Sequence, residues 1–151
     1  MRLNHLSFKI MTQNEKDLLL KDLCARLPYG VRAYYNDYDS DYEIESIKIT
    51  SYGDYKTGRI HLDMIDSTKI VDIDEIKPYL FPLSSMTNAQ EEELDKYLEM
   101  DSKSLIDGYK NGLRCAHPYF NVQDWYNKNH FDYRGLIPMG LANDATGLNI
   151  Y

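Results

Sequence analysis

The chain has 151 residues, of which 43% are hydrophobic, so one folded domain spanning residues 1–151 is expected and a disordered chain is excluded. Its net charge of −7 opposes direct binding to DNA or RNA, whose phosphates require a basic face, and favours basic partners. Fourteen tyrosines, whose rings suit half-buried sheets and interfaces, are the unusual feature of the composition.

The cysteines and apolar runs bear on the cellular compartment. Cys24 and Cys115 are the only cysteines and make no disulfide framework, and no signal-peptide pattern precedes them. The apolar runs are far shorter than the roughly 20 residues that a membrane helix requires. The sequence therefore predicts a cytoplasmic protein without a membrane segment.

The first elements carry local signals. Met1–Met11 alternates loosely and predicts a short edge strand. Thr12 and Glu15 match a capping box, which predicts a helix over Gln13–Leu27 that ends at Pro28–Gly30. The apolar stripe of this helix comprises Leu19, Leu20, Leu23, Cys24 and Leu27.

A strand-rich block follows the first helix. A slip in the alternation at Glu45–Ser46 indicates a β-bulge, and the two glycines within Ser51–Gly58 indicate a turn. Sequential short strands joined by tight turns favour an antiparallel sheet. The predicted strands are Val31–Tyr35, Tyr42–Thr50, Arg59–Met64 and Lys69–Ile73.

The second half mixes a connection with helices. Asp74–Leu83 holds two prolines and predicts a connection with one helical turn. A capping box at Thr87 opens a second helix, and Ser102–Gly112 predicts a third that is broken at Gly108. The expected fold class is α+β, with an antiparallel sheet of three to five strands packed by the N-terminal helix and C-terminal helices.

An acidic segment rich in tyrosine is the first candidate site. Asp37, Asp39 and Asp41 have the spacing that opens a calcium loop, but Tyr42 and Lys48 occupy the positions where that loop needs glycine and glutamate. The segment therefore predicts a solvated hairpin loop that serves as an acidic contact surface. Its candidate partner-binding residues are Tyr34, Tyr35, Asp37, Tyr38, Asp39, Asp41 and Tyr42.

The stretch Asp124–Ala142 admits two interpretations, and its start reads as a short helix capped by Asn121. In the first, its aromatic residues close the core while Asp132 and Arg134 pair or cap nearby backbone. In the second, it contributes to a ligand pocket with stacking rings and an arginine that binds phosphate. The residues of that alternative pocket are His117, Trp125, His130, Asp132, Tyr133 and Arg134.

Motifs of catalysis are missing from the sequence. It has no phosphate-binding GxxxxGK[ST] or GxGxxG, no GxSxG elbow and no HExxH pair. Cys115 and His117 stand without the repeated ligand spacing of a zinc site. We therefore expect no catalytic residue, no metal site and no cofactor.

Three blocks resemble a known family. They are Leu18–Val31 (LLLKDLCARLPYGV), Asp74–Thr87 (DEIKPYLFPLSSMT) and Asp124–Ala142, which begins DWYNKNHFDYRGLI. In this order they resemble a family of small uncharacterised proteins from Bacteroidales genomes and their phages. That family has no established activity, so the resemblance implies kinship and assigns no residue a role.

Two functional hypotheses follow. The first is a non-enzymatic phage or prophage accessory protein that binds a host protein, such as a nuclease complex of antiviral defence, in the manner of an anti-CRISPR inhibitor. An acidic surface suits the basic nucleic-acid-binding surface of such a partner. The alternative is a small-molecule or nucleotide-binding protein, with hydrolysis as a further option, that uses the pocket around Trp125 and Arg134.

Overall fold

The computed structural model of the chain describes the backbone of residues 9–110 and 122–151 and their side chains except at Tyr55 and 100–110. These ranges contain three α-helices, six β-strands and four short 3-10 turns, which confirms the α+β class. The helices are α1 (Gln13–Arg26), α2 (Asn88–Lys110) and α3 (Val122–Lys128). The strands are β1 (Arg32–Tyr35), β2 (Ser40–Tyr52), β3 (Tyr55–Met64), β4 (Ser67–Asp72), β5 (Ile76–Leu80) and β6 (Asn143–Asp144).

Helix α1 begins and ends where its local signals predict. The Thr12 hydroxyl accepts a hydrogen bond from the Glu15 N–H at 3.3 Å, and the Glu15 carboxylate accepts one from the Thr12 N–H at 2.9 Å. A 3-10 turn that contains Pro28 follows, and Gly30 has a φ of +72°, a left-handed conformation that glycine adopts without strain. The predicted strand over Met1–Met11 falls mostly outside the described residues, and residues 9–11 form no strand.

The six strands form one sheet in the order β4-β3-β2-β1-β5-β6. All pairings are antiparallel except that between β5 and β6, so the sheet is mixed and larger than the predicted three to five strands. The register of β2 against β3 shifts between Ile44 and Ser46, which confirms the predicted bulge. Strand β2 extends to Tyr52 and β3 begins at Tyr55, so the turn between them is shorter than the predicted Ser51–Gly58.

The prediction of a connection over Asp74–Leu83 was wrong, because Ile76–Leu80 forms β5 in the interior of the sheet. Proline lacks the N–H that a β-ladder requires, and the segment contains two. Pro78 is, however, the last residue paired with β1, and pairing with β6 begins only at Tyr79. The missing N–H of Pro78 therefore falls where the ladder passes from one neighbour to the other.

The predicted third helix was also wrong as a separate element. Helix α2 is continuous from Asn88 to Lys110 and passes through Gly108. A glycine costs only about 1 kcal/mol in a helix interior, too little to end one by itself. The predicted capping box at Thr87 is present: its backbone N–H donates to the Gln90 side chain, and its hydroxyl accepts from the Gln90 N–H. The predicted turn at Asn111–Gly112 lies outside the described residues.

The core lies between α1 and one face of the sheet. Leu19 and Leu23 of the helix pack in the same buried cluster as Ile60 and Leu62 of β3. The helix approaches the sheet tightly at Gly58, where an added Cβ would lie 2.6 Å from the Leu20 Cδ1 atom. On the opposite face, the segment after β6 covers β1 and β5 through a smaller buried cluster. Over the described ranges, no helix combines the length and apolar character needed to cross a membrane.

Candidate functional site

The acidic candidate site is the hairpin that joins β1 to β2. A single 3-10 turn, Asn36–Tyr38, reverses the chain, and Asp39 follows with a φ of +47°. Aspartate tolerates this left-handed conformation better than most residues because its short polar side chain bonds locally. The predicted partner-binding residues Tyr34 to Tyr42 are thereby brought together at one end of the sheet, and we call residues 34–42 the hairpin tip.

Two buried tyrosines orient the carboxylates of the hairpin tip. The Tyr34 hydroxyl donates to Asp39 Oδ1 at 2.7 Å, and the Tyr35 hydroxyl donates to Asp37 Oδ2 at 2.8 Å. The hydrogen bond to Asp39, aided by burial, raises the pKa of Tyr34 to about 12. Burial, followed by the bond to Asp37, raises the pKa of Tyr35 to about 12. Both hydroxyls therefore remain protonated donors, and both exposed carboxylates keep a defined direction.

The remaining residues of the hairpin tip differ in exposure. Asp41 accepts from Arg32 at 2.6 Å, so its charge is already paired within the chain. Tyr42 is half-buried and packs against the main core. Tyr38 is 53% exposed, and its ring centroid lies 5.5 Å from that of Tyr35. The accessible part of the site is therefore Asp37, Tyr38 and Asp39.

Acidic residues continue beyond the hairpin tip at alternate positions, as Asp37, Asp39, Asp41, Glu43 and Glu45, and residues 33–47 contain no lysine or arginine. Because alternate residues of a strand share a face, Asp41 and Glu43 project from the same side of β2. The register also places Asp63 of β3 opposite Glu43, so that two exposed carboxylates are cross-strand neighbours. Only the pairing register reveals Asp63 as part of this surface.

A cavity of about 330 Å³ lies behind the hairpin tip. It is lined by Lys9, Ile10, Asn36, Asp37, Asp74 and Glu75. Lys9 is engaged by Glu15, and Asp74 pairs with Lys16 at 2.9 Å. The acidic character of the hairpin tip thus continues into the groove next to it.

The described residues of the alternative pocket lie around the junction of α1 and α3. Trp125 is 2% exposed and stacks on Phe131, with ring centroids 5.6 Å apart and an interplanar angle of 11°. Tyr133 stacks in turn on Tyr126 at 5.3 Å. These rings pack on one another, as the packing interpretation expects. His117, predicted in the same pocket, lies outside the described residues.

Asp132 and Arg134 make structural contacts. The Asp132 carboxylate accepts from the backbone N–H groups of Leu136 and Ile137, both at 2.8 Å, and so closes a tight turn. The Arg134 Nε donates to Asp22 at 3.1 Å and its Nη2 donates to the Tyr133 hydroxyl at 3.0 Å.

Asp22 and Arg26 join this cluster from α1. Both are fully buried, and Arg26 donates to the Asp22 carboxylate at 2.8 and 3.1 Å and to the Phe131 carbonyl at 2.7 Å. Their spacing of four residues on one helix is also typical of a surface ion pair. No local signal in the sequence therefore distinguishes this buried pair.

His130 is the titratable group of the same region. Its φ is +59°, its ring stacks on Tyr151 with centroids 3.6 Å apart, and it is 8% exposed. Burial, with the nearby charge of Arg26, lowers the pKa of His130 to about 4. The imidazole is therefore neutral at physiological pH, so it supplies neither a positive charge nor an acidic proton at that pH.

No group of three or more histidine, cysteine, aspartate or glutamate side chains that could hold a metal ion occurs in residues 9–110 and 122–151. Cys115 lies outside those ranges, and Cys24 is half-buried, which raises the pKa of its thiol.

No family model, curated protein or solved structure matches the chain.

Proposed function

We propose that this protein acts without catalysis in the host cytoplasm, by binding the basic surface of a host protein through its hairpin tip. The observation that carries the proposal is the orientation of Asp37 and Asp39 by buried tyrosine hydroxyls, at 2.8 and 2.7 Å, in a segment without a basic residue. Pre-oriented carboxylates lose little freedom on binding, so more of their interaction energy appears as affinity.

The neighbouring residues suit the same role. Tyr38 is exposed beside the two carboxylates, and tyrosine is enriched among residues that anchor protein interfaces. The net charge of −7 adds a long-range attraction to a basic partner, which raises the association rate more than the affinity. The hairpin tip thus combines steering charge with an aromatic anchor.

The resemblance to proteins from Bacteroidales genomes and their phages supports a partner in such a host. Basic surfaces that hold nucleic acid are the surfaces to which an acidic protein is drawn most strongly. We therefore assign the partner to a nuclease complex of antiviral defence, which the protein inhibits by occupying its nucleic-acid channel. In this role the chain is a phage or prophage accessory protein.

The test is an affinity purification of the tagged chain from a Bacteroidales host, followed by binding kinetics with the recovered partner. Asp37→Asn with Asp39→Asn removes two charges, and each amide can still accept the tyrosine hydroxyl. Asparagine also tolerates the backbone conformation at position 39. We expect a stoichiometric partner that dissociates at high salt and a several-fold lower association rate for this variant.

Glu92→Gln with Glu93→Gln on α2 is the matched control, because it changes the net charge by the same amount, from −7 to −7 + 2 = −5. Both glutamates are exposed and distant in sequence from the hairpin tip. Equal association rates for the two double variants would reject the hairpin tip as the binding site. A preparation without a partner at low salt would reject the proposal as a whole.

A second candidate function rests on unpartnered polar atoms near α3. Arg26 Nη1, Trp125 Nε1 and His130 Nδ1 are buried without a hydrogen-bond partner. Buried polar atoms are nearly always satisfied, so these three atoms are the hydrogen-bonding positions that a small polar ligand, such as the base of a nucleotide, would fill. A nucleotide that binds the folded state raises the unfolding temperature, and this shift should disappear in Arg134→Met. A panel of nucleotides without any shift would reject this function.

A further inference from the structure

One face of strands β2, β3 and β4 carries an ordered pattern of charge. The cross-strand register places Lys48 beside Arg59, Ser46 beside His61, and Glu43 beside Asp63. His61 in turn lies beside Ile70 of β4. The side chains of these rows project from the face opposite the one that packs on α1, where Ile60 and Leu62 are buried. We call this solvent-exposed surface the open face.

The open face is basic at one end and acidic at the other. Lys48 and Arg59 form a basic row, and Glu43 and Asp63 form an acidic row. Along β3 each row lies two residues from His61, a distance of about 7 Å in a strand. All four side chains are exposed. The central row between them contributes Ile70, which is 52% exposed and apolar.

Each row sets like charges side by side, an arrangement that destabilises a sheet when nothing neutralises it. Within the chain, Arg59 pairs with Asp72 only at 3.3 Å, and their side chains are 56% and 53% exposed. An ion pair this exposed contributes little. The cross-strand neighbour of Glu43 on β1 is Arg32, but Arg32 is engaged by Asp41. Among residues 9–110 and 122–151 no other ion pair engages these two rows, so their charges remain available to a binding partner.

We propose that the open face is a self-association interface, in which a second copy of this chain packs face to face about a two-fold axis along the central row. Such an axis exchanges the two ends of the face and keeps each strand opposite its equivalent. Lys48 then faces Glu43 of the second copy and Arg59 faces Asp63 of the second copy, and the same pairs recur in reverse. The two copies of Ile70 meet beside the axis.

The packing has a physical precedent in sheets that stack face to face with nearly aligned strands. The separation of about 10 Å between stacked sheets is spanned by long charged side chains, which place their heads in the gap. The charge pattern selects a second copy over a uniformly basic partner, because such a partner would place cations against Lys48 and Arg59.

This interface goes beyond the proposed function, since the rows exclude the exposed residues of the hairpin tip. A dimer of this kind presents two hairpin tips, so a host assembly with repeated subunits would be bound at two points. Self-association and host binding therefore have separate residues and separate tests.

The experiment is sedimentation velocity over a concentration series with two charge-reversed double variants. Lys48→Glu with Arg59→Glu makes both rows acidic, and Glu43→Lys with Asp63→Lys makes both rows basic. We expect the wild-type chain to dimerise and each variant alone to show a dissociation constant raised about a hundredfold, because like charges then face each other. An equimolar mixture of the two variants should restore the dimer as a heterodimer.

Net charge separates the specific effect from general repulsion. The first variant carries −7 − 4 = −11 and the second −7 + 4 = −3, so general repulsion alone would weaken only the first. The variant Asp37→Asn with Asp39→Asn should dimerise like the wild type. The midpoint of urea unfolding checks that every variant is folded, as expected for exposed positions.

Three outcomes would overturn the interface. They are a wild-type chain that is monomeric throughout the series, dimerisation of either charge-reversed variant alone as strong as that of the wild type, and a mixture of the two variants that fails to restore the dimer. If the wild-type chain is monomeric and Glu43→Lys with Asp63→Lys weakens host binding, the open face belongs to the host interface instead. Failure of host binding with an intact dimer would reject the proposed function alone.

Discussion

At the scale of single residues, the group that organises the interior is the Asp22 carboxylate. It accepts hydrogen bonds from Arg26 and Arg134, and both guanidinium groups lie near the ring of Tyr133, with Cζ-to-centroid distances of 5.4 and 4.8 Å. Arg26 also donates to the carbonyl of Phe131, 105 residues away. One carboxylate thus ties α1 to the chain that follows α3.

Replacing this carboxylate should destabilise the protein strongly. Asp22→Asn leaves two guanidinium groups around a neutral amide, and breaking a buried ion pair costs about 3 kcal/mol or more. The measurement is the free energy of unfolding in urea at pH 7. Asp17→Asn is the control on the same helix, because that side chain is exposed, and its effect should stay within about 0.5 kcal/mol. Equal effects of the two substitutions would contradict the role assigned to Asp22.

The lowered pKa of His130 predicts a loss of stability in mild acid. The pKa is about 4 in the folded chain and about 6.5 when unfolded, so between these values the unfolded chain binds the extra proton. The stability that comes from a neutral, buried His130 is fully present above about pH 6.5 and is lost as the pH falls towards 4. The expected loss between pH 7 and pH 5 is about 2 kcal/mol.

The check is to compare unfolding free energies at pH 7 and pH 5 in His130→Asn and His61→Asn. Asparagine accepts the left-handed backbone at position 130, so the first variant removes the titration without adding backbone strain. It should lack the part of the pH dependence due to His130, whereas His61→Asn should retain it. An identical pH dependence in the wild type and His130→Asn would show that the imidazole does not couple to folding.

At the scale of elements, sequence predicted best what local chemistry determines. The capping boxes at Thr12 and Thr87 and the slip in β2 each act over a few residues, and each appears where predicted. Strand β5 was missed because its membership depends on β1 and β6, which are remote along the chain. The composition of residues 34–42 predicted an exposed hairpin loop, whereas the position of Asp63 and the burial of Arg26 depend on tertiary pairing that no short pattern contains.

The edge strand β4 carries a charged side chain on its core side. Lys69 pairs with Leu62, which is fully buried, so a charged side chain projects from the core-side face of an edge strand. Inward-pointing charge on an edge opposes the addition of another strand. The usual pattern is therefore reversed at the centre of β4, where the charged Lys69 lies on the core side and the apolar Ile70 lies on the open face.

Removing this charge should promote aggregation. Lys69→Val makes the core-side face of the edge continuous and β-prone, so light scattering at 37 °C should rise faster than in the wild type. Lys69→Arg keeps the charge and should match the wild type. If the valine and arginine variants scattered equally, the edge would be protected by some other feature of β4.

At the scale of the whole molecule, opposite ends of the described chain pack on opposite faces of the sheet. Helix α1 covers one face, and the segment after β6 returns across β1 and β5 on the other. Tyr151 secures this return, because its hydroxyl donates to the Tyr79 carbonyl at 2.8 Å and accepts from the Arg32 N–H at 3.1 Å. Its ring also covers His130, so a single side chain links β1, β5 and the turn after α3.

This closure predicts different effects for two substitutions at one position. Tyr151→Phe keeps the ring and leaves the Tyr79 carbonyl and Arg32 N–H unpaired, which should cost about 1–3 kcal/mol of unfolding free energy. Tyr151→Ala also uncovers His130, whose pKa should then rise towards its ordinary value because the burial that lowers it is relieved. NMR titration of the imidazole, with urea unfolding, separates the two effects. Tyr52→Phe, at an exposed tyrosine, should change neither quantity. A His130 pKa that stays near 4 in Tyr151→Ala would show that the charge of Arg26, and not the covering ring, keeps this pKa low.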